Sequence, residues 1–123
     1  MAKRPSSGPI TWLVEYHSEA IEEYNALRDS KQRKGVLTIV DILRQVGPKA
    51  TEPHMKPVHG SDKLRELRPG GGKTLVRPLY FRFDARTFKV VAIAPEAVAD
   101  PSGFDSAVER AKARARRDYG VDL

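Results

Sequence analysis

The residue whose chemistry most needs explaining is Arg77. It lies in KTLVRPLYFRFD (73–84), where Leu75, Leu79, Phe81 and Phe83 recur at two-residue spacing around it. In a strand this spacing puts a cation on an apolar face, where an unpaired guanidinium is costly. Two readings are open. Glu66, on the preceding strand-like run, pairs with Arg77 and the pair is structural; or Arg77 lies at the mouth of a groove and meets a phosphate, with Glu66 orienting it. Glu66 and Arg68 are two residues apart and share a face, while Arg65 points the other way. Tyr80 offers either a ring to stack on a base or a half-buried sheet tyrosine.

These residues sit in the most basic part of the chain. Of 22 Lys+Arg and 16 Asp+Glu, the 27 residues from Lys63 to Lys89 hold eight basic groups and two acidic ones. The segments before and after are close to neutral. A localised positive excess points to an anionic partner, with nucleic acid first among them. Arg65, Lys73, Arg82 and Lys89 within that stretch, and Lys56 before it, are the expected RNA contacts. Arg65, Arg82, Arg86 and Lys89 would stand on a solvated face.

Other chemistries have less support. The absence of cysteine excludes a thiol nucleophile, a disulfide framework and cysteine-based metal sites. His54 and His59 lie five apart in a proline-rich connection with no carboxylate at ligand spacing, so no metal and no cofactor are expected. Gly70-Gly71-Gly72-Lys73-Thr74 has the composition of a phosphate loop but joins two strands and lacks the P-loop spacing, which favours a turn. No apolar run reaches the ~20 residues of a membrane span. MAKRPSSGP has no apolar stretch after it, so a cytoplasmic protein without membrane contact is expected.

The elements that must position the site follow from periodicity. Residues 1–9 read as a flexible arm and 10–123 as one domain. ITWLVEY (10–16) reads as a strand with Trp12, Val14 and Tyr16 on one face. Ser18 is an expected N-cap for a helix to about Arg28, and Asp29 or Ser30 for a second one carrying Val36, Leu37, Val40, Leu43 and Val46 until Gly47-Pro48. Residues 48–62 read as a long connection. Strands are expected over 63–68, 73–84 and 87–94, joined by tight turns, with an irregularity near Pro78. A last helix runs from Ser102 to about Tyr119. The predicted fold is α+β, in the order β-α-α-β-β-β-α, with a helical hairpin packed on a small antiparallel sheet.

In this order the chain resembles the RelE/HigB-like superfamily of bacterial toxins, and within it the phage-derived HigB type. The likeness runs through Trp12, Val14 and Tyr16, then Ser18-Glu19-Ala20, Met55-Lys56-Pro57, Leu64-Arg65-Glu66-Leu67-Arg68 and Arg77-Pro78-Leu79-Tyr80-Phe81. It ends in a helix with Phe104, Ala107 and a run of arginines. The resemblance implies a RelE/ParE-like fold and the toxin of a type II toxin–antitoxin system: a ribosome-dependent mRNA endoribonuclease that needs no metal. Its partners would be a cognate antitoxin of helix-turn-helix type, the ribosome and mRNA. Arg77 and Arg68 match the family's basic site, Glu66 and Tyr80 complete the implied catalytic set, and Lys56 or His59 stands where helpers often sit.

One departure stands out. Many HigB-type relatives carry lysines after the last strand, whereas this chain has Ala94-Pro95-Glu96-Ala97. Phosphate contacts from that loop are lost, which leaves room for other classes of function. These are a ParE-like gyrase poison and a phage-derived protein that only binds nucleic acid or a partner.

Overall fold

The computed structural model describes residues 12–123; the expected arm, residues 1–9, lies outside the described residues. The elements run β1 (Leu13–Tyr16), α1 (Ser18–Asn25), α2 (Ser30–Val46), β2 (Met55–Pro57), β3 (Arg65–Leu67), β4 (Val76–Arg82), β5 (Thr87–Pro95) and α3 (Pro101–Tyr119). Short 3-10 turns at Gly47–Lys49 and Pro69–Gly72 precede β2 and β4. The α+β class with two helices ahead of a small sheet is as the sequence predicts. Two details differ. The 48–62 connection folds its Met-Lys-Pro segment into an edge strand, antiparallel to β3, and β1 pairs parallel to β5. The sheet is therefore five-stranded and mixed, in the order β1-β5-β4-β3-β2.

Helix termini follow local chemistry. Asp29 accepts a hydrogen bond from the Lys31 amide at 2.8 Å and starts α2. His17, rather than Ser18, caps α1: its Nδ1 accepts from the Glu19 amide at 3.0 Å. Gly47 ends α2 at φ 56°, ψ −130°, where a Cβ would run into the Trp12 indole, so only glycine fits.

Both faces of the sheet are covered. Val36, Ile39, Val40 and Leu43 of α2 pack with Val76, Tyr80, Phe88 and Val90 on one face. On the other, Ala107, Val108, Ala111 and Ala115 of α3 pack with Leu79, Phe81, Val91 and Ala92. β4 lies between β3 and β5, and six of its seven residues, Val76 to Phe81, are buried. A central strand covered on both sides carries apolar residues toward both faces rather than alternating, and Arg77 is the one charged residue in the buried run. Pro78 leads one to expect a bulge in its own strand or an edge position there, but β4 is central and the bulge is on its neighbour: Leu79 pairs with Ala92 and Tyr80 with Val90, leaving Val91 of β5 as the extra residue.

Among the described residues β5 has no strand on its β1 side beyond Val90, and side chains take over its backbone groups. The Glu23 carboxylate accepts from the Ile93 amide at 3.0 Å, and Arg114 donates to the Val91 carbonyl at 2.9 Å. Arg114 and Arg110 also bond Glu23, at 2.7 and 3.0 Å, so one clasp joins α1, β5 and α3. Burial pushes the Glu23 carboxyl up, but the bonds from Arg114 and the Ile93 amide outweigh it and hold the group below its ordinary value of 4.5. A carboxyl depressed in the folded state stabilises the protein above its unfolded pKa, and that contribution is lost as pH falls through the folded one. Lowering the pH from about 5 to about 3 should therefore reduce Tm in the wild type. Glu23→Gln should melt lower at neutral pH and show a flatter pH dependence over the same interval. Parallel slopes would place the acid-sensitive group elsewhere.

Candidate functional site

The residues expected to act together are divided between the two faces of the sheet. Glu66 lies opposite Leu79 and Lys56 opposite Glu66, so Lys56, Glu66 and Arg77 share the face that α3 packs on. Arg65 lies opposite Tyr80, on the face of the helical hairpin. A strand separates neighbours by side, and one sequence motif here supplies two different surfaces.

On the α3 face the expected groove mouth is closed. Arg77 is 2% exposed and Glu66 8%. The guanidinium donates to the carbonyls of Thr74, Val76 (3.0 Å) and Gly72 (3.2 Å), and its Nε lies 3.7 Å from Glu66 Oε1. Arg68, partly exposed, donates to the same carboxylate at 2.9 Å. Burial and the neighbouring Arg68 pull the Arg77 guanidinium below its ordinary value, against the charges of Glu66 and Glu96. Of the two readings open for Arg77, this geometry is that of the structural pair. The Arg77 donors are taken by the turn that precedes β4. Lys56 stands exposed on edge strand β2, and Lys73 is exposed after the glycine turn. Lys89 is not on the expected solvated face: it lies opposite Phe81, bonds Glu15, and stands 5.0 Å from both the Phe83 and Tyr119 rings.

On the hairpin face a recess of about 170 Å³ opens where the end of α2 leaves the sheet uncovered. Its floor is Tyr80, Phe88, Met55 and Ala50; its rim carries Lys63, Arg65 and Arg82. Among the described residues three cations and no carboxylate line it, so its field attracts an anion. The Arg82 guanidinium stacks 5.4 Å from the Trp12 ring centre and donates to the Asp84 and Ala85 carbonyls at 3.2 and 3.1 Å. Those contacts hold its charge at the rim. Burial pushes the Tyr80 hydroxyl up to about 12, with the charge of Arg65 working against it. Tyr80 thus stays protonated at neutral pH and can donate a hydrogen bond or a proton but not serve as a base. Lys63 and Trp12 were not placed among the site residues from sequence; alternation over 63–68, which gives Lys63 and Arg65 one face, carried the signal for the lysine.

His17, Glu19 and Asp118 form the metal-type cluster found among the described residues. Both ring nitrogens of His17 are engaged, with the Glu19 amide and with Asp118, and Arg117 bonds both carboxylates. The cluster is therefore an ion-pair network between α1 and α3. Among the described residues no helix is long and apolar enough to cross a membrane.

Residues 22–94, more than half of the chain, match the family of phage-derived Gp49-like proteins. No curated protein matches the sequence. In structure the chain is similar to the E. coli toxin RelE in the free state, in a mutant with two arginines replaced by alanine. That match has a TM-score of 0.57 at 16% identity and covers 81% of this chain and 97% of that one. It is also similar to a chain of the archaeal RelE–RelB complex from Pyrococcus horikoshii, with a TM-score of 0.51 at 20% identity over 69% and 94% of the two chains. At these identities the likeness shows the fold.

Proposed function

The chain belongs to the phage-derived Gp49-like family and has the fold of the RelE toxins, and from that premise we propose that it is the toxin of a toxin–antitoxin pair and cleaves mRNA on the ribosome. The observation that carries the reading is the recess at Tyr80: a cationic rim, a protonated phenol on the floor and no carboxylate. Cleavage of RNA joins the 2′-oxygen to the adjacent phosphorus and breaks the bond from phosphorus to the 5′-oxygen; the 2′-hydroxyl proton passes to solvent, which restores any proton Tyr80 gives up, and negative charge builds on the phosphoryl oxygens and on the departing 5′-oxygen. Arg65, Lys63 and Arg82 supply fixed positive charge for the first, and Tyr80 a proton or hydrogen bond for the second. The partner reading draws support from the RelE of P. horikoshii, which is held in a complex with RelB.

Purified protein added to translating ribosomes should give position-specific cuts in the mRNA. Intact mRNA together with gyrase-dependent DNA breaks would replace this reading with the ParE-like one. Intact mRNA and intact DNA would leave a binding protein.

A further inference from the structure

A second cleft, of about 460 Å³, lies between α2 and the glycine turn that precedes β4. Its depth is set by two glycine features. Gly35 brings α2 against the turn so closely that a Cβ there would stand 3.1 Å from the Pro69 ring. Gly70 and Gly71, at φ +64° and +67°, give the opposite lip a bare backbone without side chains. Ile39 and Ile42 line its inner wall, Thr38 and Thr74 add hydroxyls, and Lys31, Lys34 and His54 complete the lining. Again no carboxylate lines the space. The size falls within the range of preformed ligand sites.

Aliphatic walls under a positive rim discriminate between partners. Single-stranded nucleic acid is held by stacking successive bases on aromatic rings or arginine planes; among the described residues this cleft has His54 as its one ring and no arginine, so it offers no platform for a run of bases. An acidic amphipathic peptide matches it: an aliphatic side chain enters between Ile42 and the glycine lip, and flanking carboxylates meet Lys31 and Lys34, which are three residues apart on α2. We propose that the cleft between α2 and the glycine turn is a docking site for an acidic, leucine-bearing segment of a protein partner. It rests on the toxin–antitoxin reading only in taking that partner to be the antitoxin, and the cleavage assay reports on that reading separately.

The test titrates the full chain, followed by amide NMR, with a synthetic helical peptide that carries leucines on one face flanked by glutamates. A matched titration uses oligouridylate. The peptide should shift the amides of Gly35, Thr38, Gly70 and Gly71. Lys31→Glu with Lys34→Glu should weaken it by about tenfold or more, and Thr38→Trp should block it, with Tm and mRNA cleavage unchanged in both variants. Failure of the peptide to shift these amides, affinity indifferent to the charge reversal, or the same amides shifted by oligouridylate instead would each overturn the proposal.

Discussion

Replacing Arg77 by alanine is expected to lower stability by about 3 kcal/mol, with a fall in Tm of roughly 10 °C. The side chain is among the largest fully buried ones, and three backbone carbonyls around the glycine turn rely on its donors. Removing it strands those acceptors, opens a cavity and leaves the Glu66 carboxylate with Arg68 alone as its cation. Arg77→Lys should recover only part of the loss, since one ammonium does not span carbonyls that a planar fork reaches together. Thermal melts of both variants decide the matter. An Arg77→Ala protein with wild-type Tm and no activity would return the residue to the phosphate role.

The contrast between Arg77 and Arg65 shows what the sequence could and could not reveal. Both arginines sit in strand-like runs within the same basic stretch. Alternation correctly separated Arg65 from Glu66 and Arg68, because period two is a property of any extended chain. Which side would be open depended on where α2 stops covering the sheet, and that is a tertiary fact. For Arg77 the sequence left both the structural pair and the phosphate role open, since a strand buried on both faces has no polar side to betray its orientation. β2 was hidden by its shortness and its prolines. As an edge strand it leaves every other backbone N–H unpaired, so Pro57 withholds no ladder bond. The helices were legible because their stripes and caps are local, apart from α1, where His17 does the capping. Lys89 was counted with the RNA contacts because a charge tally cannot see faces, although its pairing opposite Phe81 puts it across the sheet from Arg82.

Arg65→Ala is expected to slow mRNA cleavage by about a hundredfold or more, the usual consequence of removing one preorganised donor to a developing oxyanion. It should leave Tm within about a degree or two, because the side chain is half exposed and makes only a 3.5 Å contact with the Asp62 carbonyl. The effect should fall on the chemical step rather than on ribosome binding, since charge builds on the phosphoryl oxygens only as the new bond forms. Single-turnover rates on saturating ribosomes separate the two. Tyr80→Phe should also be slow, and the doubly substituted protein should lose less than the product of the single effects, because Arg65 and Tyr80 face each other across β3 and β4 and, in the proposed reaction, would act on one phosphate. The comparison that can sink this assignment is Arg68→Ala. If that variant is inactive while Arg65→Ala cleaves at the wild-type rate, the site belongs to the α3 face, and the Glu66–Arg68–Arg77 cluster must open to receive RNA.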